Sequence, residues 1–201
     1  MQDGPAPNLK QVFGIPIFED KVDLDIFQIP EEPEEDLQPT WDSGVRTTFN
    51  TKLELPQPVW EHLGDIVGRN LGPCGLMGLE PHIGHVWRNR YEEHDYQDPH
   101  IHPNSQWSFI VYETVERSRT SFFNPSMGLI QNQLGNCHGA FPLDYKPNLK
   151  KGDIIIFPSF LMHSVNSGQV GTTISGNIYM KYLSPDSEGT LRMQREEQQN
   201  G

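Results

Sequence analysis

The feature that most constrains this chain is how often its apolar runs are interrupted. Stretches rich in β-branched and aromatic residues occur at Ile83 to Arg90, Trp107 to Glu113, Thr120 to Asn124, Asp153 to Pro158, Met162 to Val165 and Thr172 to Tyr182, separated by Gly, Pro and Asn. Many short strands punctuated this way predict a sandwich or barrel. A single helical pattern stands out over Pro58 to Asn70, where Val59, Leu63, Ile66 and Val67 fall at helical spacing behind a proline near the start. So few helices argue against a doubly wound sheet, and the expectation is a mostly β chain with a helix packed outside.

With 201 residues and 35% apolar content, the chain can bury one sizeable core. Its ends read differently from its middle. QIPEEPEEDLQPT, residues 28–40, carries three prolines and five acids, a composition too charged and kinked for a core element. It is expected to be a solvated loop or linker joining an N-terminal strand, around Val12 to Phe18, to the main body. SPDSEGTLRMQREEQQNG, residues 184–201, is a polar tail. The expected division is therefore residues 1–40, a strand and acidic linker packed on the core; 41–183, the main domain; and 184–201, the tail. A net charge of −12 with scattered Lys and Arg speaks against nucleic acid. No long apolar run predicts a membrane span, and only Cys74 and Cys137 are present, so a reducing cytoplasm is expected (a host's, if phage-encoded), with homodimerisation left open.

The candidate chemistry begins at DPHIHPNSQWSFIVY. In a strand, residues two apart share a face, so His100 and His102 would project together with Cα atoms about 6 to 7 Å apart. Imidazole pairs at this spacing can occupy adjacent positions on Fe, Cu, Zn or Ni. Taken alone, such a pair fits one packed ring and one solvated ring better than it fits a chelate. A second stretch, KKGDIIIFPSFLMHSV, adds a Gly-Asp turn, the apolar strand Ile154 to Phe157, a Pro-Ser corner and then His163. In a double-stranded β-helix (jelly roll) with one or a few flanking helices, a late His can join an early pair, and three imidazoles would form a facial triad with open positions opposite. A buried structural His163 is the alternative. His82, His85, His94 and His138 lack this spacing.

G-D-I-I-I-F-P-S-x-x-x-H, then G-T-T-I-S-G-N, with W-x-N-x-Y and H-x-H-P-N-S-x-x-S-F-x-V-Y upstream, resembles the 2-oxoglutarate and Fe(II)-dependent oxygenases of bacteria and tailed phages, a branch related to prolyl hydroxylases. The resemblance runs from about Trp87 to Met180. It implies a jelly roll that binds Fe(II), 2-oxoglutarate and O2 and hydroxylates a peptidyl or small amino-acid-like substrate, releasing succinate and CO2. His100, His102 and His163 would then hold the iron.

The sequence departs from that family in two places. His102 stands where a carboxylate is usual, and Asp98 or Asn104 could serve as a further ligand or orient a ring. The Arg or Lys usual about ten residues past the distal His is also missing. Thr173 and Ser175 keep the polar part of that pattern, so Arg119, Arg117, Arg90 or Lys181, with the Tyr91 hydroxyl, would have to meet the cosubstrate's far carboxylate. Asn177 is either a site-lining polar group or a bulge residue. Two other readings remain open at this stage. One is a three-histidine cupin-type dioxygenase that does not use 2-oxoglutarate; the other is a non-catalytic jelly-roll binding module.

Overall fold

The computed structural model describes residues 14–40, 42–51, 53–74, 79–134 and 141–182. Among these, the strands are β1 (Phe18–Lys21), β2 (Gln38–Pro39), β3 (Arg46–Thr47), β4 (Leu79–Tyr91), β5 (Gln97–His100), β6 (Trp107–Tyr112), β7 (Thr120–Phe123), β8 (Asp144–Tyr145), β9 (Asp153–Pro158), β10 (His163–Val165) and β11 (Gly171–Tyr182). The α-helices are α1 (Gln57–Leu71) and α2 (Met127–Leu134). One sheet runs β1-β9-β6-β11-β4-β3-β2 and the other β5-β10-β7-β8, with antiparallel pairing between neighbours. This is the mostly β architecture expected from the punctuation, in the double-stranded β-helix form that the family resemblance implied.

Side-chain parity explains the layering. Every residue of β9 is buried, because the large sheet is covered on both faces. Ile154 and Ile156 join Val86, Phe109, Val111, Ile174 and Ile178 beneath α1, whose Val59, Leu63, Ile66, Val67 and Leu71 supply the opposing stripe. Ile155 and Phe157 point the other way, into the space between the sheets, beside Ile110, Tyr112 and Phe122. A strand covered on both faces reads as a continuous apolar run rather than an alternation, which is why IIIF was conspicuous in the sequence. Gly152, at φ +86°, makes the turn into β9 in a conformation that side-chain-bearing residues rarely adopt. Its N–H donates to the carbonyl of Tyr112, holding β9 in register with β6.

The N-terminal strand lies later than expected, at Phe18–Lys21, where it pairs with the edge of β9. The first residues of the expected Val12 to Phe18 strand, and the polar tail at 184–201, lie outside the described residues. Most of the acidic segment is exposed, and arginines tie it to the main body. Arg88, buried within β4, bridges Glu113 at 2.7 Å and also pairs with Glu32 while donating to the carbonyls of Ile29 and Pro30. Glu34 is held by Arg46 at 2.6 Å and by Arg90. Short helix α2 was not anticipated; it is only eight residues long.

Candidate metal centre

Strand pairing assembles the site. His163 of β10 lies directly across from His100 of β5. β5 ends at His100, so His102 sits just beyond the strand, held by its N–H donating to the Ser159 carbonyl at 3.0 Å. The rings of His100 and His102 nevertheless stack, 5.6 Å apart and 13° from parallel, and His163 approaches them at 4.3 and 5.1 Å between centroids.

The hydrogen bonds fix which nitrogen faces inward. Nδ1 of His100 meets the Asp98 carbonyl at 2.7 Å, Nδ1 of His102 meets Asn177 Oδ1 at 2.9 Å, and Nδ1 of His163 meets the Leu161 carbonyl at 3.1 Å. Each of these partners is an oxygen that can only accept. Each Nδ1 therefore carries the proton and donates, which leaves Nε2 with its lone pair, the orientation usual for metal-binding imidazoles. One ligating nitrogen from each ring lies within 4.8 Å of the others. Nitrogens sharing one ion sit about 3 Å apart, given bonds near 2.0–2.1 Å, so the rings need close by only an ångström or two.

Burial keeps all three rings neutral. His102 is pushed down to about 4, first by desolvation and then by the proximity of His100, against the opposing pull of Asn177. His163, 2% exposed, is pushed well below the ordinary imidazole value by desolvation and by the other two rings. His100 is lowered by burial as well. Metal binding needs neutral imidazole, so the donor set fits a divalent ion of the Fe, Zn, Ni or Cu type. No Asp, Glu or Cys joins this cluster among the described residues. Asp98 contributes its carbonyl, and Asn104 is an exposed turn residue at φ 69°.

The cavity beside the rings is lined by Tyr91, Thr173 and Ser175, as the sequence suggested, and also by Trp87, Asn89, Gln97, Thr120 and Gln169. Asn177 sits where the pairing of β11 with β4 is irregular and reaches the site through His102, so it is at once a bulge residue and a site residue. Arg90, Arg117, Arg119 and Lys181 do not line the cavity. Asn89 was legible as the middle of W-x-N-x-Y, because alternate residues of β4 face the same way; Gln97 and Gln169 carried no comparable signal. A groove of about 540 Å³, lined by Leu53, Leu55, Trp60 and His85 among others, lies nearby. His85, in its lining, stacks in sequence with Trp87 at 5.1 Å, and Trp87 with His102 at 5.4 Å.

Residues 85–175, a little under half of the chain, match the family described as "Putative 2OG-Fe(II) oxygenase", and this segment contains all three imidazoles. No curated protein matches in sequence. Among solved structures, the chain is similar to an oxidoreductase of the 2OG-Fe(II) oxygenase family from Burkholderia pseudomallei, at 16% identity and a TM-score of 0.50, covering 77% of this chain and 73% of that one. It is also similar to a Pseudomonas putida prolyl-4-hydroxylase, at 13% identity and a TM-score of 0.49, covering 72% and 78%. The first of these shows the shared fold. The family match and the three-imidazole cluster fall on the same segment, and the cofactors that go with that family are Fe(II), 2-oxoglutarate and O2. Among the described residues, no helix is long and apolar enough to cross a membrane.

Proposed function

We propose that this chain is an Fe(II)- and 2-oxoglutarate-dependent hydroxylase of the bacterial and tailed-phage type, acting on a peptidyl or amino-acid-like substrate in the cytoplasm. The observation that carries the reading is the set of three Nδ1–H donors locked onto fixed oxygens, which turns three Nε2 lone pairs toward one point. When bound there, Fe(II) with 2-oxoglutarate and O2 supplies the oxidation that gives the substrate a hydroxyl and leaves succinate and CO2.

The chain's own part is geometry and dryness. His100, His102 and His163 hold three adjacent positions and leave the opposite ones open. Phe157 and Phe122 pack against the His163 ring at 4.9 and 5.6 Å, excluding water and strengthening every polar interaction within. The open groove, with Trp60 and His85 in its lining, has room for an extended peptide. The net charge of −12 favours a neutral or basic substrate over nucleic acid.

Anaerobic protein given Fe(II) and 2-oxoglutarate is expected to develop the weak visible band of the chelate, and His163→Ala to lose it. Metal-loaded parent protein that neither shows the band nor turns 2-oxoglutarate into succinate would reject the reading. The absence of a cation lining the cavity is the one observation favouring a three-histidine dioxygenase that ignores 2-oxoglutarate. Iron-dependent oxygen uptake indifferent to that acid would select it.

A further inference from the structure

One flank of β4 is largely unpaired. β11 runs along the whole of β4, from Tyr91 back to Leu79. On the opposite flank β3 pairs only with Arg90 and Asn89, and Thr48 then takes up the backbone C=O and N–H of Arg88. From Leu79 to Trp87 no strand pairs with that flank among the described residues. An open edge of this kind is a template for another chain, and folded proteins usually blunt it. The first part of β4 is blunted: Pro81 has no N–H to offer, Glu80 and His82 are exposed, and the pairing with β11 is irregular between Ile83 and Val86. The part left over, Gly84 to Val86, lines the groove of about 540 Å³ together with Leu53, Leu55 and Trp60.

Ladder alternation fixes which groups face that flank. In an antiparallel strand, residues two apart present their N–H and C=O to the same side. Arg88 gives both to Thr48, so Val86 turns both of its own the same way, where β3 no longer runs. Val86 is 5% exposed, and backbone groups with so little water access are rarely left without a partner. Side-chain parity then sorts a guest strand. A residue set opposite Val86 would share its face, the one packed beneath α1 with Leu53 and Leu55. Its two neighbours would point as Trp87 does, to the face that carries the metal cavity.

The occupant follows from these limits. The open stretch is too short to join two whole sheets, and two copies of a chain with net charge −12 repel each other. The groove's lining includes the carboxylate of Glu54 and no Lys or Arg, so basic residues suit a guest better than acidic ones. We propose that an extended segment of the peptidyl substrate docks here as an added strand on β4, exchanging backbone hydrogen bonds with Val86, with an apolar residue on the α1 face and Lys or Arg elsewhere in the segment. The inference rests on the function proposed above and adds to it how the substrate's backbone is held.

The probe is a blocked peptide, Lys-Val-Thr-Val-Thr-Val-Lys, titrated into isotope-labelled protein and followed by NMR. The backbone amide of Val86 should shift, and its hydrogen exchange should slow by at least about tenfold at saturation. Two further peptides carry N-methyl groups on all the valines or on both threonines. Only alternate N–H groups of an added strand face β4, so one of the two should bind at least about tenfold more weakly while the other stays within about twofold of the parent peptide. These comparisons use the unaltered protein and need no variant to fold. A Val86 amide that ignores millimolar peptide, or equal binding of both N-methylated peptides, overturns the inference. Protection of Val86 that rises with protein concentration in the absence of peptide also overturns it, by assigning the edge to a second copy. The chelate band is read separately. A parent that shows the band but leaves Val86 unmoved loses this inference and keeps the proposed function, whereas a parent without the band loses the function and the substrate role assigned here.

Discussion

Replacing Asn177 with alanine should weaken metal binding about 10- to 100-fold without unfolding the protein. Asn177 Oδ1 accepts the Nδ1 proton of His102 at 2.9 Å, and His102 is only 8% exposed, so water has little access to replace it. Stranding a buried donor costs about 1–3 kcal/mol, which at about 1.4 kcal/mol per decade is a factor of roughly 5 to 150. That agrees with the loss typical when the partner orienting a ligating His is removed. The same bond supports the basicity of the ring against desolvation, so losing it also makes Nε2 a poorer donor. Collateral damage should be small. Ser108, the other residue touching Asn177 Oδ1, at 3.3 Å, keeps a 2.8 Å bond to Ser159. The measurement is a chelator-competition titration with Zn(II), alongside Asn177→Asp, whose carboxylate still accepts the proton and should bind metal at least as tightly as the parent. If Asn177→Ala binds within twofold of the parent at unchanged melting temperature, the orienting role assigned to this side chain is wrong.

Further predictions concern pH and packing. In chelator, the metal-free protein should lose stability as pH falls from about 6.5 toward 4: unfolded imidazoles take up protons first, while burial holds folded His102 near 4, a difference on the order of 3 kcal/mol for that residue. Urea midpoints across this range should fall for the parent and fall less for His102→Asn, and a flat parent profile would contradict the burial argument. Arg88→Met should destabilise by about 3–5 kcal/mol in urea denaturation, because it strands the largely buried carboxylates of Glu32 and Glu113; adding Glu113→Leu should recover part of that loss. Gly176→Ala should cost about 1–3 kcal/mol in the same assay, since a Cβ there would come within 2.5 Å of the Phe109 ring.

What the sequence revealed and what it hid follow from the range of the forces involved. β9 was plain because burial on both faces writes an unbroken apolar word, and α1 because its stripe repeats at helical spacing. The three histidines could be singled out because strand parity and the order of strands act along the chain. Arg88 carries no local sign of its role: its partners Glu32 and Glu113 come from distant segments, and only the fold brings them together. Gln169 was invisible for a similar reason. A glutamine in a Gly-rich turn gives no local sign of being buried, and its site neighbours Asn89 and Thr173 come from β4 and β11. Weak elements such as α2 and β8 depend on tertiary contacts more than on their own residues.

The cross-strand pairing of His100 with His163 has a mechanical consequence. These residues are about sixty positions apart, and β5 and β10 meet through only His163 with His100 and Val165 with Gln97, across an irregularity. An ion shared by the two facing rings would rivet this meagre seam, closing a long loop whose entropy the bare chain must otherwise overcome. Stripping the ion should therefore loosen the small sheet first, and amide exchange along 97–100 and 163–165 would register it before the helix-backed sheet changes at all.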